Sequence, residues 1–239
     1  MAVDLAAGFS ADQVRAAERP LLDAGVPLMA RAAAGLADVV REVLGSRPDH
    51  EGRLLVLVGG GSNGGDALFA AAELLGDGCS ATVVRLGRSV HEAGLDAALA
   101  AGAALLPADA DLDDVVAAAR RADVVLDGIL GTGSHGPGLR SPARETVAAL
   151  LPLLPGPVVV AVDLPSGIDP DDGSVEGPVL PADVTVTFGA AKAGLLLPPA
   201  SRLTGLVRLV DIGLGPELEG VEPLVPAPRP RREDPSRQR

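Results

Sequence analysis

The amino-acid sequence predicts a Rossmann-like α/β protein, in which helices cover both faces of a mostly parallel sheet to give three layers. Near-continuous runs of Val and Leu, typical of strands buried on both faces, alternate with helical segments. A glycine-rich turn directly follows the first of these strands. The 239 residues are enough for one such domain with a sizeable core.

Two helices are expected before the first strand. Ser10 and Gln13 have the spacing of a capping box at the start of the first helix, and Pro20 is expected to interrupt or end it. Apolar residues at helical spacing predict the second helix over 27–45, ending at Gly45. The N-terminal region should therefore pack as helices against the sheet.

Strands and helices then alternate along most of the chain. Strands are predicted at 53–60, 80–87, 104–107, 123–131, 157–167, 183–192 and 205–214, and helices at 65–75, 91–102, 113–122 and 142–154. The folded domain is therefore expected to span residues 1–214. Residues 215–239, which end in a run rich in Pro and Arg with no apolar face, are predicted to be disordered.

The composition argues against several classes of partner. A net charge of −12 disfavours nucleic acid and anionic membranes, and the absence of Trp and Tyr removes stacking platforms for single strands. No apolar run reaches the roughly 18 residues of a membrane-spanning helix. The N-terminus lacks the basic region of a signal peptide, and the single Cys79 suits a reducing compartment. We therefore expect a cytoplasmic protein.

The turn "GGGSNG" at 59–64 matches G-x-G-x-x-G between a strand and a helix, which is typical of a dinucleotide pyrophosphate site. Arg85 and Arg88 follow the second strand, where they suit a 2′-phosphate. Asp66 argues against a phosphate, because a carboxylate in the first helical turn is stabilised by the same free N–H groups. A plain tight turn with a first-turn acid is the alternative interpretation.

Three aspartates, Asp66, Asp127 and Asp163, occur where predicted parallel strands end. Because such ends meet at one edge of the sheet, we expect the three carboxylates to form a constellation. Close carboxylates raise one another's pKa or recruit a cation. Together with Asn63 and Ser166 the ligand set is all oxygen, which favours a hard cation over zinc. The spacing leaves potassium, sodium and magnesium open.

Four segments together resemble the NAD(P)H-hydrate epimerase domain, also called the YjeF N-terminal domain. They are "GGGSNGGDALFAA", "LDGILGTG", "VVAVDLPSGIDPDDGSV" and "ADVTVTFGAAKAGLLLPPA", and residues 10–33 are similar to the N-terminal helices of that family. The resemblance runs from residue 9 to about 214. It implies a Rossmann-like, often dimeric isomerase of metabolite repair that interconverts the R and S epimers of hydrated NADH and NADPH.

The same resemblance implies a set of site residues. One potassium ion per subunit would be held by Asn63, Asp127 and Ser166, and no organic cofactor is expected beyond the substrate. The implied substrate contacts are Ser62, Asn63, Gly64, Gly65, Asp66, Gly131, Thr132, Gly133, Ser134, His135, Gly136, Pro137, Arg140 and Asp163. A solvated side chain is the alternative for His135.

Lys192 is a further candidate for substrate binding. It is the only lysine in a chain with 19 arginines, and it follows a predicted strand. This pattern indicates a position that needs a compact ammonium. It would pair with Asp163 or with a phosphate, and a surface lysine at a strand end is the alternative.

The chain departs from the usual family pattern in three places. Ser62 replaces an asparagine with a side chain of shorter reach, and the loop after Gly131 is about a residue longer. The dehydratase domain often fused after this one is missing, so a separate dehydratase is expected to act downstream.

Epimerisation requires the C6 hydroxyl to leave and return, or the ring to open. Either route needs proton transfer by a carboxyl with a raised pKa, for which Asp163 is the predicted catalytic residue.

Two other functions compete with the epimerase. An NADP-dependent oxidoreductase would use the glycine turn, but the absence of tyrosine excludes a Tyr–Lys catalytic pair. A non-catalytic nucleotide-binding or scaffold module would be expected to lose the three aspartates, and this chain keeps all of them.

Overall fold

The computed structural model describes residues 7–47, 51–133 and 136–227. Strand β1 (Gly8–Phe9) and helices α1 (Ala11–Asp23) and α2 (Leu28–Gly45) come first. The capping box is confirmed: the Ser10 side chain accepts the Gln13 N–H at 3.1 Å, and the Gln13 side chain accepts the Ser10 N–H at 2.9 Å. The prediction that Pro20 interrupts or ends α1 is wrong. Pro20 lacks only its own N–H, and its carbonyl still accepts the Ala24 N–H at 3.0 Å.

The main sheet has seven strands, and all of their pairings are parallel, which confirms the predicted α/β class. Its spatial order is β4-β3-β2-β5-β6-β7-β9. The strands are β2 (Arg53–Val58), β3 (Ser80–Arg85), β4 (Ala104–Leu105), β5 (Val124–Gly128), β6 (Val158–Val162), β7 (Val184–Phe188) and β9 (Leu206–Val210).

Helices lie on both faces of this sheet. They are α3 (Ser62–Gly76), α4 (Glu92–Ala100), α5 (Leu112–Arg121) and α6 (Ala143–Leu150), with short helices α7 (Ala193–Leu196) and α8 (Gly215–Leu218) near the end. Alternate residues of β2 enter opposite cores: Leu54 and Val56 pack with α2 and α3, whereas Leu55 and Leu57 pack with α5 and α6. This alternation produces the three layers.

The topology places a ligand crevice between β2 and β5. The chain leaves β2 for β3 and β4 on one side, and then returns to β5, β6 and β7 on the other. Loops at the carboxyl ends of β2 and β5 therefore run in opposite directions and leave a gap, which is where open α/β sheets bind ligands.

The first and last described segments meet at a small second sheet. Strand β1 pairs in parallel with β8 (Ala191–Lys192), and Gly8 exchanges two hydrogen bonds with Val225, at 2.8 and 3.0 Å. Residues 215–227 were predicted to be disordered. This is corrected, because α8 and the pairing of Val225 order them. Residues 228–239 lie outside the described residues.

Within the described ranges, no helix has the length and apolar character needed to cross a membrane.

Candidate active site

The glycine-rich turn becomes helical earlier than predicted. Helix α3 begins at Ser62 instead of residue 65, and the Gly65 N–H donates to the Gly61 carbonyl at 3.2 Å. The first N–H groups of α3 have no acceptor inside the helix, so they can receive an anion. Asp66 lies in the second turn, beyond these donors. The expectation that its carboxylate competes with a phosphate for them is therefore wrong.

A cavity of about 370 Å³ lies where the loops after β2, β5 and β6 meet helix α1, and we call it the carboxylate cavity. Its charged lining residues are Arg15, Glu18, Asp66, Asp163 and Lys192. Its other lining residues are Gly60, Gly61, Ser62, Asn63, Ile129, Leu130, Gly131, Thr132, Gly133 and Phe188. Three acids and two bases thus surround a space of ligand size.

Asp163 is fixed by a buried ion pair with Lys192. Lys192 is only 2% exposed. Its ammonium also donates to the Thr187 hydroxyl at 3.2 Å and the Phe188 carbonyl at 3.0 Å. Both the Thr187 hydroxyl (3.2 Å) and the Phe188 N–H (3.4 Å) donate to Asp163 Oδ1. No hydrogen bond from a described residue reaches Asp163 Oδ2. One carboxylate oxygen is therefore anchored, and the other is available to a ligand.

The backbone of Asp163 adopts the left-handed region, with φ of 67°. Aspartate and asparagine tolerate this conformation better than most residues, but it still carries strain. The Asp163 N–H donates to the Val186 carbonyl at 2.7 Å, which helps to hold the turn. Such strain is concentrated at functional sites, because the surrounding structure must impose it.

Asp66 has very different surroundings. Burial raises its pKa to about 8; the nearby charges of Asp163 and Glu18 add to the rise, and Lys192 opposes it. Within the described ranges no hydrogen bond reaches the Asp66 carboxyl. At neutral pH the cavity therefore contains a protonated carboxyl at Asp66 near the carboxylate of Asp163. A proton donor and a proton acceptor thus line the same small space.

Asp127 does not belong to this group. It is completely buried and does not line the carboxylate cavity. Its Oδ2 accepts the Ser166 N–H at 2.9 Å, and burial raises its pKa while the bonds from Ser166 oppose the rise. In the described part of the chain, no three His, Cys, Asp or Glu side chains are placed to hold a metal. The expected constellation of three carboxylates is thus corrected to a pair, Asp66 and Asp163, with Asp127 apart.

Of the three residues implied as potassium ligands, Asn63 and Ser166 meet at Leu130, and Asp127 adjoins them through the Ser166 N–H. Asn63 Nδ2 donates to the Leu130 carbonyl at 3.0 Å, and the Ser166 hydroxyl donates to the same carbonyl at 3.2 Å. The Leu130 N–H donates back to Ser166 Oγ at 2.9 Å. No basic side chain of the described residues forms an ion pair with the buried Asp127. Oxygen donors beside an unbalanced carboxylate fit a hard cation.

The remaining predicted contacts divide into four groups. Ser62, Gly131, Thr132 and Gly133 line the carboxylate cavity. Gly136 and Arg140 line the next cavity along the groove, and Pro137 lines a smaller one beside Arg140. Gly64 and Gly65 are buried in α3 and do not line the carboxylate cavity. Ser134 and His135 lie outside the described residues.

Two site residues on α1 were not predicted from the sequence. Arg15 Nη1 donates to the Thr132 carbonyl at 2.5 Å, and Glu18 lies on the cavity wall one turn further along the helix. Burial raises the pKa of Glu18, and Lys192 opposes this rise. The only signal in the sequence is their spacing of three residues, which puts both on one helix face.

Two larger cavities continue the carboxylate cavity along the carboxyl edge of the sheet. The central cavity, about 580 Å³, shares Gly60, Ile129, Leu130 and Gly133 with it. The outer cavity, about 750 Å³, shares Leu86, Gly87, Arg88 and Ser141 with the central one. All three volumes are typical of small-molecule sites. Together they form one long groove, whose titratable pair lies at its smallest end.

A doubly wound sheet with a long groove at its switch point defines a class of protein that binds nucleotide-type ligands. Residues 25–194 match the family described as YjeF-related protein N-terminus, and the chain belongs to this family. The resemblance inferred from the motifs is thereby confirmed.

Several curated proteins are similar over most of the chain. An NAD(P)H-hydrate epimerase of Clavibacter michiganensis subsp. michiganensis is 53% identical over 94% of this chain and 97% of its own length. One from Microbacterium testaceum is 49% identical over 92% and 84%, respectively. The bifunctional NAD(P)H-hydrate repair enzyme Nnr of Mycobacterium tuberculosis (strain ATCC 25618 / H37Rv) is 40% identical over 93% of this chain and 46% of its own length.

The crystal structure of yeast ynu0 has the same fold. It is 21% identical in sequence, covers 84% of this chain and 86% of its own, and gives a TM-score of 0.71.

Proposed function

We propose that the protein is an NAD(P)H-hydrate epimerase, which interconverts the R and S epimers of hydrated NADH and NADPH. The observation that carries the proposal is the carboxylate cavity, where a protonated Asp66 and the Lys192-bound Asp163 face the same space at one end of a long groove. Relatives named for this activity share 53% and 49% identity over most of the chain. The proposal therefore combines the geometry of the site with similarity over nearly the whole chain.

The substrate would lie along the groove with its hydrated ring in the carboxylate cavity. Its pyrophosphate would then face the free N–H groups at the start of α3, from Ser62 to Gly64, and the loop from Gly131 to Pro137. Arg140, on the central cavity, would balance its charge. This position uses the contacts that the family resemblance implies, and it assigns the adenosine end to the outer cavity.

Inversion at C6 needs both members of the carboxyl pair. In one route, Asp66 gives its proton to the C6 hydroxyl, the C–O bond breaks with its electron pair on oxygen, and the N1 lone pair forms a flat iminium. Water then adds to the opposite face and returns a proton to a carboxylate. In the other route, Asp163 accepts the hydroxyl proton, the C6–N1 bond opens to an aldehyde, and Asp66 protonates N1. The aldehyde then turns, N1 attacks its other face and returns its proton to Asp66, and Asp163 returns its proton to the C6 oxygen. Lys192 balances the charge of Asp163 whenever that carboxyl is ionised.

Epimer exchange tests the proposed activity directly. Purified protein would be mixed with R-hydrated NADPH or NADH and a dehydratase that consumes only the S epimer, with spontaneous exchange subtracted. Return of the reduced-nicotinamide absorbance well above the background rate is the expected result. A trace at the background rate from folded protein would refute the proposed function.

The catalytic role of Asp163 is tested by Asp163→Asn. Asparagine tolerates the left-handed backbone, so we expect a folded variant whose rate falls by about 10²–10⁴-fold. Because this change leaves the Lys192 ammonium unpaired, the double variant Asp163→Asn/Lys192→Met serves as a control for charge balance. The double variant should regain stability but remain inactive. Near-normal turnover in either variant would refute the role of Asp163.

We also propose one potassium ion per subunit, held by Asn63, Asp127 and Ser166. The bound ion would balance the buried charge of Asp127 and hold together the loops after β2, β5 and β6. The hydrogen bonds that these side chains share through Leu130 support this assignment.

The proposed partners follow from the same function. A separate dehydratase would consume the S epimer. This agrees with the bifunctional repair enzyme of Mycobacterium tuberculosis, of whose length this chain matches 46%.

A homodimer is proposed because the edge strand β9 is only partly covered and Leu206 is 51% exposed; sedimentation would test it. The net charge of −12 and the lone Cys79 support a cytoplasmic protein that binds neither nucleic acid nor membrane.

A further inference from the structure

The loop after β3 lies directly beside the glycine-rich turn. Arg85, the last residue of β3, is in register with Val58, the last residue of β2, and the Leu86 N–H donates to the Val58 carbonyl at 2.8 Å. The glycine turn continues from Val58, and the loop carrying Arg88 continues from Leu86. The two loops therefore leave neighbouring strands side by side.

Close backbone contact fixes these loops to each other. A Cβ on Gly87 would lie 2.8 Å from the Gly60 nitrogen and 3.2 Å from the Gly59 carbonyl carbon, so only glycine allows this approach. The next residue, Arg88, is consequently held close to the turn. Its side chain lines both the central and the outer cavity.

The charges of the outer cavity are unevenly distributed. Arg85 and Arg88 lie on its β3 side, are exposed, and form no ion pair with any residue that the structure describes. The acidic lining residues come from other elements: Glu92 from α4, Glu145 from α6, and Asp111, which caps α5 by accepting the Asp114 N–H at 3.0 Å. An anionic group in this cavity would therefore be favoured only on the β3 side.

In sheets of this class, the end of the second strand contacts the adenosine ribose. An acid there binds the free 2′-hydroxyl of NAD, whereas an arginine accommodates the 2′-phosphate of NADP. Strand β3 follows β2 and α3, so it is the second strand of this unit, and Arg85 occupies its end. The outer cavity contains two guanidinium groups that form no ion pair with a carboxylate of the described residues. It thus has the chemistry of a 2′-phosphate site.

We propose that Arg85 and Arg88 bind the 2′-phosphate of hydrated NADPH, and that the enzyme therefore prefers hydrated NADPH to hydrated NADH. The inference rests on the proposed function and adds the substrate preference. The 2′-phosphate accepts charge-assisted hydrogen bonds from the two guanidinium groups. Hydrated NADH has only a hydroxyl at this position and gains nothing comparable.

The test compares kcat/KM for the two R-hydrated substrates in the coupled exchange assay. The variants are Arg85→Ala, Arg88→Ala and the double variant. Arg121→Ala is the matched control. Arg121 is an exposed arginine at the end of α5, just before the amino end of β5, whereas the cavities lie at the carboxyl ends of the strands. We expect wild type to favour hydrated NADPH by at least about tenfold, through KM, and the double variant to lose most of that preference.

Each outcome decides the inference. A loss confined to hydrated NADPH, with hydrated NADH and the Arg121→Ala control unchanged, supports it. Equal losses on both substrates would overturn it, since the arginines would then contact a part that the two share. Equal kcat/KM values in wild type, or unchanged values in the double variant, would overturn it as well.

Calorimetric binding separates this inference from the proposed function. The probes are 2′-phospho-ADP-ribose and ADP-ribose, neither of which has a ring to epimerise. Wild type should bind the phosphorylated probe at least about tenfold more tightly, and the double variant should bind the two equally. If this difference appears without exchange activity, the function fails and the phosphate site stands. If exchange is active and the two probes bind equally, the phosphate site fails alone.

Discussion

At the scale of single residues, two carboxyl groups in one cavity have opposite surroundings. Asp163 is paired with the buried ammonium of Lys192, whereas Asp66 accepts no hydrogen bond from the described residues, and burial raises its pKa to about 8. Pairs of carboxyl groups whose environments favour opposite protonation states divide into an acid and a base. Lys192 therefore contributes to the chemistry by determining which of the two keeps its proton.

The pKa of Asp66 predicts an alkaline limit to activity. Because the reaction needs the protonated form as donor, kcat/KM should fall as pH rises through about 8. Asp66→Asn should be slow at every pH and lack this limb. The measurement is the pH profile of kcat/KM for epimer exchange.

Glu18→Gln is the matched control on the same cavity wall. Removing this like charge lowers the pKa of Asp66, so the variant should keep the alkaline limb and shift it to lower pH. A limb that persists unchanged in Asp66→Asn would assign the titration to another group.

The sequence placed Asp66 and Asp163 at one edge of the sheet, but it grouped Asp127 with them and named Asp163 alone as the catalytic carboxyl with a raised pKa, whereas the carboxyl whose pKa burial raises to about 8 is Asp66. Asp127 lies inside β5, in register with Leu57 and Ala161, whereas Asp163 comes just after the last residue of β6. Asp163 is two positions further along the sheet than Asp127, past the end of β6 and with a left-handed backbone, so its carboxyl reaches the cavity whereas that of Asp127 stays within the sheet. Apolar runs do not define strand ends that closely. The choice of Asp163 as the partner of Lys192 likewise needed the fold.

At the scale of elements, helix α1 forms a wall of the site. Arg15 connects this helix to the loop after β5 through the Thr132 carbonyl, and it also pairs with Asp12 at 2.6 Å. The neighbouring strand β1 is in register with β8, which carries Lys192. The N-terminal segment thus contacts the loop after β5 and strand β8, which both contribute residues to the carboxylate cavity.

Arg15→Ala should therefore weaken substrate binding more than it slows the chemistry. The variant loses the hydrogen bond that the charged Arg15 donates to Thr132, and the partial exposure of Arg15 reduces the free energy of this bond. The expected result is a KM higher by about three- to tenfold. Steady-state kinetics would measure KM and kcat separately. Arg19→Ala, an exposed arginine on the same helix, is the control and should leave both unchanged. A fall in kcat alone would contradict the role of Arg15 in binding.

Most elements were predictable because buried parallel strands are apolar runs with polar ends. The start of α3 was not, because Ser, Asn and Gly are poor helix formers. Tertiary contacts require them nonetheless: a Cβ on Gly64 would lie 2.5 Å from the Gly59 carbonyl oxygen. Residues 215–227 were missed because the short helix α8 and the pairing of Val225 with Gly8 order a segment without an apolar pattern.

At the scale of the whole molecule, Asp127 lies where three loops converge. Its carboxylate accepts the Ser166 N–H from the loop after β6, and the Leu130 carbonyl joins Ser166 to Asn63 of α3. A buried carboxylate without a basic partner opposes folding unless a proton or a cation neutralises it. A potassium ion bound there would therefore stabilise both the fold and the arrangement of the site.

Potassium should accordingly raise the Tm of wild type over that in tetramethylammonium at equal ionic strength. A ligand at 100 times its Kd adds about 2.7 kcal/mol, and each kcal/mol raises Tm by about 2–4 °C for a domain of this size. Asp127→Asn removes the buried charge, so its Tm should be the same in both cations and no lower than that of wild type in tetramethylammonium. Asp96→Asn makes the same charge change on the exposed face of α4 and should keep the full potassium response. Because the proposed ion would also hold the loops of the site, exchange activity should follow the same pattern in all three proteins. Equal potassium stabilisation of wild type and Asp127→Asn would place the ion elsewhere, and the charge of Asp127 would then have to be balanced by its own proton.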